Sequence, residues 1–206
     1  VRPGRDRIRL TALLVGLGSF CWGPVCWGME AEAQTVDYAA VFAEHEPEIV
    51  PGGEIDGRAV DLLAVPPGIE LRRLIGPNGE VTYTGIDATG DGAVGCLFDL
   101  YFELVAMGRS CPWTPPKAEA AMLETRLRRI TRFVLANGVP ERDPADAEEW
   151  LEARLARWQE DIAPRACGAP DAGLQGFAGA LASEAFAPVL DKALAVPRLP
   201  VSQPCL

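Results

Sequence analysis

The chain has 206 residues, 49% of them hydrophobic, and sets 19 basic against 29 acidic side chains for a formal net charge of −10. An acidic surface repels phosphate backbones and anionic lipid heads, so nucleic acid and peripheral membrane binding are disfavoured. The length suits one ordinary domain with a targeting segment ahead of it.

Arg2, Arg5, Arg7 and Arg9 precede an apolar run from Leu10 to about Met29, and Ala31-Glu32-Ala33 follows as an A-x-A-like cleavage site. This layout predicts a cleaved secretory signal peptide over residues 1–33 and a mature protein from about Gln34. An uncleaved anchor is the alternative, because the run approaches the ~20 apolar residues of a membrane span. Pro24 and the small-residue ending favour cleavage. Lipidation at Cys21 or Cys26 is rejected, since Phe20 and Val25 stand where lipoprotein processing needs a small residue. Cleavage leaves 15 basic and 26 acidic residues, net −11, and no later segment apolar for long enough to cross a bilayer.

The mature part, residues 34–206, reads as a single domain. Val36 to Glu46 has helical spacing up to Pro47. From Glu48 to Gly68 the texture turns to glycine turns and a Pro66-Pro67 pair around one apolar run, Ala59 to Val65, which predicts an extended segment. Ile69 to Ile75 and Glu80 to Ile86 flank Gly76-Pro77-Asn78-Gly79, the turn chemistry of a hairpin. Arg72 and Arg73 break the alternation of its first arm.

Beyond Cys96 the pattern is helical. Leu97, Leu100, Tyr101, Leu104 and Val105, widened by Phe98 and Phe102, predict a central helix ending near Gly108. A second helix from about Lys117 to Asn137-Gly138 buries Leu123, Leu127, Ile130 and Val134 and carries Arg126, Arg128, Arg129 and Arg132 on its other face. Asp143 caps a third, with Pro144 at its first position and Leu151, Leu155, Trp158 and Ile162 in line, Trp150 beside them. Asp171 caps a fourth containing Leu174, Phe177 and Leu181, where Gly173, Gly176 and Gly179 admit a close backbone and Pro188 interrupts or kinks the helix. The tail from Pro197 reads as extended. The expected fold class is therefore α+β, mostly helical: a small β-hairpin packed with four or five helices and stapled by two disulfides.

Those disulfides use Cys96, Cys111, Cys167 and Cys205, an even count that fits an exported chain and a periplasmic or extracellular bacterial address. A helix from Cys96 to Met107 would be roughly 17 Å long at ~1.5 Å per residue. Four further residues barely return that distance, which disfavours a Cys96–Cys111 bridge. Both bridges that cross to Cys167 and Cys205 stay open.

The sharpest motif is Asp87-Ala-Thr89-Gly-Asp91-Gly92, which resembles the calcium loop of EF-hand proteins: oxygen-bearing side chains at positions one, three and five, and glycine at six. The resemblance implies calcium held by Asp87, Thr89 and Asp91. It departs where the loop expects a bidentate glutamate, because position twelve is Phe98, and the preceding segment reads as a strand instead of a helix. The competing reading is a tight turn into the helix. Asp99, one residue late, ligates only if the loop is re-routed.

Cys96 near a helix start invites thiolate chemistry, but the only histidine, His45, lies in an acidic helix end. Glu148, Glu149 and Glu152 read as a wet helix face. The function expected is an exported, non-catalytic binding or assembly protein with an unidentified protein or small-molecule partner. The alternative is an exported hydrolase using the carboxylates Asp87, Asp91 and Asp99.

Overall fold

Alternating side chains and glycine-bearing turns build an antiparallel meander of four strands: β1 (Val50–Ile55), β2 (Arg58–Val65), β3 (Ile69–Ile75) and β4 (Val81–Asp87), in that spatial order. The computed structural model describes residues 35–112, 115–163, 167 and 172–205. The signal peptide, the start at Gln34 and the Asp171 cap lie outside the described residues. Every described residue belongs to one compact unit, Gln34–Leu206.

The expected hairpin is β3–β4, with Ile69 opposite Asp87 and Ile75 opposite Val81. It is half of a larger sheet. The β1–β2 connection is Asp56-Gly57, both with positive φ, the pattern of a two-residue hairpin turn. Strand β1, sequence VPGGEI, escaped a propensity reading because proline and glycine are poor strand formers. It survives as an edge strand with a register shift between Pro51 and Gly53, where proline and a bulge are tolerated and blunt the edge against further pairing. The arginines that disturb alternation in β3 have local partners: Arg73 bonds Asp61, its cross-strand neighbour, and Arg72 bonds Glu70.

One sheet face carries Leu63, Leu71 and Ile69 and packs with Val41 and Phe42 of α1 (Tyr38–Glu44), with Val36 and with Val201 of the tail. The larger core is helical. Helix α2 (Val94–Ser110) buries Leu97, Phe98, Tyr101, Leu104 and Val105 against α3 (Lys117–Asn137), α4 (Ala147–Asp161) and α5 (Ala172–Ala182). A short α6 (Ala187–Ala193) adds Leu190. The fold is α+β and mostly helical, with six α-helices among the described residues.

Five local expectations are corrected. Ile162 lies past the end of α4 and is 40% exposed. Asp143 does cap, its carboxylate accepting from Ala145 N–H at 2.8 Å, but the turn it starts is a single 3₁₀ turn and α4 begins at Ala147. Pro188 sits in the first turn of α6, where a missing N–H costs nothing, and the chain breaks earlier, at Ser183. At Gly176 and Gly179 no other described backbone comes close. Arg126, assigned by pattern to the wet face of α3, is only 6% exposed.

The disulfides are Cys96–Cys205 and Cys111–Cys167. The disfavoured Cys96–Cys111 bridge is absent because α2 holds the two cysteines at opposite ends. Closing loops of 109 and 56 residues, each constrains the unfolded chain by about 4–5 kcal/mol in the entropic view. Among the described residues no helix is long and apolar enough to cross a membrane.

Candidate functional site

Strand β4 ends at Asp87 and helix α2 begins at Val94, and the loop between them winds tightly through Gly90 and Gly92, both at positive φ. Asp87 is 5% exposed. One carboxylate oxygen accepts from the backbone N–H and hydroxyl of Thr89, and the Thr89 hydroxyl oxygen in turn accepts from the N–H of Asp91. The other oxygen accepts from Nε of Arg198 at 2.7 Å, with both side chains at or below 1% exposure. Arg198 also donates to the carbonyls of Gly92 at 2.9 Å and Val196 at 3.1 Å.

The guanidinium therefore draws on Asp87 and on a loop carbonyl, oxygens of the kind a hard cation would need. Asp91 turns instead to Lys192 at 2.9 Å. Phe98, at the position where a calcium loop carries its glutamate, is fully buried in the helical core. Among the described residues no group of three or more His, Cys, Asp or Glu side chains is placed to hold a metal ion.

What brings Arg198 there is the tail, which passes between β4 and α2. Gln203 O accepts from Asp87 N–H at 2.6 Å, and Val201 O accepts from Gly95 N–H at 2.9 Å, satisfying a donor in the first turn of α2 that the helix itself leaves free. Two glycines permit the passage. A Cβ at Gly95 would lie 2.4 Å from Pro200 O, and one at Gly85 2.4 Å from the Val201 side chain. Cys205 then bonds Cys96. The thiol offered as a nucleophile is thus a disulfide sulfur, and His45 is an exposed cap residue bonded to Glu48 at 2.9 Å.

The three carboxylates do not share one centre. Asp99 projects from α2 toward Ser202, whose hydroxyl donates to it at 3.4 Å. It keeps an exposed edge, yet crowding by neighbouring atoms raises its carboxyl above the usual range; Arg154 and Ser202 oppose that rise and Glu103 adds to it. Burial also raises the Tyr38 phenol, with Asp99 contributing. Arg154 lies 5.2 Å from the ring centres of Phe98 and Phe102 and 5.3 Å from Trp150, a cation–π cluster in which burial lowers the guanidinium's pKa.

Two of the acids noted on the wet helix face, Glu148 and Glu152, have internal partners too. Glu148 and Glu124 bond Arg128 of the α3 arginine row, and Glu152 and Glu124 bond Arg109 near the end of α2. Arg129 pairs with Asp191. Arg198 went unrecognised as a site residue, although a lone arginine in the apolar tail sequence VPRLPV was a usable signal. Comparison with protein-family models, with curated proteins and with solved structures finds no match.

Proposed function

We propose that the chain is an exported, non-catalytic binding or assembly protein that works in an oxidising compartment, periplasmic or extracellular. One observation carries the reading: Asp87, the carboxylate best placed by sequence for chemistry, is buried against Arg198 and fastens the tail. A general acid or base must reach a substrate proton, and a carboxylate with both oxygens bonded inside the protein does not. Asp91 and Cys96 are likewise engaged, by Lys192 and Cys205. The two long-range disulfides support the oxidising address.

The test is expression of the whole chain followed by fractionation, intact mass and a panel of hydrolase substrates. The expected species is exported, starts near Gln34, is lighter than the reduced form by the four hydrogens of two disulfides, and turns over none of the substrates. Residues Arg2 to Met29 retained in the mature protein, or a hydrolysis lost in Asp99→Asn, would overturn it.

A further inference from the structure

The native bridges are nested. Cys96–Cys205, separated by 109 positions, encloses Cys111–Cys167, separated by 56. In an unfolded chain the chance that two cysteines meet falls with about the 3/2 power of the chain between them. Cys96 and Cys111 are 15 positions apart, so they meet about 20-fold more often than Cys96 and Cys205. They also leave the ribosome together, long before Cys205. The remaining pair, Cys167 with Cys205, is closer in sequence than Cys167 is to Cys111.

The favoured bridge is incompatible with the fold. Helix α2 runs from Val94 to Ser110 and takes up nearly the whole interval. Its rise of ~1.5 Å per residue sets Cys96 and Cys111 about 22 Å apart, against the ~7 Å limit for bridged Cα atoms. A chain closed at Cys96–Cys111 cannot form α2, and Leu97, Phe98, Tyr101 and Leu104 cannot enter the helical core. The wrong pairing therefore blocks the helix around which the larger core is built.

We propose that this chain is a substrate of a thiol–disulfide isomerase, an enzyme with a reactive C-x-x-C dithiol, because its unfolded chain favours the pairing its fold forbids. The exchange balances without net oxidation. The enzyme thiolate attacks the Cys96 sulfur of a Cys96–Cys111 bridge, forming a mixed disulfide and releasing the Cys111 thiolate. That thiolate attacks Cys167 in a Cys167–Cys205 bridge, forming Cys111–Cys167 and releasing the Cys205 thiolate. Cys205 then attacks Cys96 and expels the enzyme thiolate. Two protein disulfides enter and two leave, and the enzyme is regenerated.

The place where the chain meets such an enzyme rests on the exported reading above; the pairing preference does not, and the test separates the two by working in vitro. The chain isolated from its own compartment is reduced, unfolded in denaturant, and diluted into a glutathione buffer with or without protein disulfide isomerase. Samples quenched with acid and alkylated are digested with trypsin, which separates Cys96 from Cys111 after Arg109 and Cys167 from Cys205 after Arg198. The expected first sample contains Cys96–Cys111 in about tenfold or greater excess over Cys96–Cys205. The ratio later reverses, several-fold faster with isomerase. A Cys111→Ser/Cys167→Ser double variant has no wrong partner for Cys96 within the mature chain, so Cys96–Cys205 should be the first protein bridge it forms, with or without isomerase. Cys96–Cys205 as the earliest bridge, or a reversal indifferent to isomerase, overturns the proposal. The earliest sample decides even where a variant does not refold.

Discussion

In the sheet region the buried arginine, Arg198, meets a carboxylate; in the helical region the buried arginine, Arg126, donates to carbonyls. Arg126 donates to Leu181 O and to Ser183 O at 2.9 Å, at the C-terminal end of α5, and the Tyr101 hydroxyl shares Leu181 O at 2.7 Å. The aligned dipoles of a helix give those oxygens partial negative charge, so a cation is welcome there without a formal anion. The Asp87–Arg198 pair is different in kind. Each partner is a full charge out of water that is tolerated because of the other. One arginine improves a helix end, and the other forms half of a contact that holds the tail to the sheet.

The largest expected effect follows from breaking the full charge pair. Arg198→Met leaves Asp87 buried without its counter-ion, and urea denaturation should show a loss of about 3–5 kcal/mol. The double variant Asp87→Leu/Arg198→Met should recover most of it, since apolar replacement of both members of a buried pair is often neutral or better. A double variant no more stable than the single one would mean that the carboxylate is not what the arginine answers.

Arg126→Met comes next. It removes a donor from two neutral oxygens, one of which keeps Tyr101, so the same measurement should give about 1–3 kcal/mol. A loss as large as that of Arg198→Met would erase the distinction between the two regions. The smallest effect belongs to Asp99. Its folded pKa is raised, so the stability its neutral form contributes is present below the ordinary 3.8 and is lost as pH rises through the folded value. Asp99→Asn should therefore melt higher than the wild type at pH 7, and the gap should close below pH 3.8. A gap that widens on acidification contradicts this sign.

The regions differ in legibility too. Helices α2 and α3 were readable because Leu97, Tyr101 and Leu104, or Leu123, Leu127 and Ile130, repeat at the period of the helix. The same spacing held a signal for Arg126, which lies three residues after Leu123 and four before Ile130, on the buried stripe; its charge argued the other way. Strand β1 was hidden because Pro51, Gly52 and Gly53 serve an edge and a bulge instead of a propensity. The loop at Asp87 was visible as an oxygen-rich turn. Its occupant was not, because Arg198 lies 111 positions away in a tail with no periodicity of its own. Local pattern reports which oxygens converge, whereas only the tertiary path of the tail reports what they converge on.

That Arg198 is the cation of this loop is tested most directly by thermal melting of the wild type in millimolar calcium and in chelator. With the guanidinium on Asp87 and on the Gly92 carbonyl, and Asp91 on Lys192, the two melting temperatures should coincide. A melting temperature raised by calcium, with the rise abolished in Asp91→Ala, would contradict the account and return the loop to the calcium reading of its sequence.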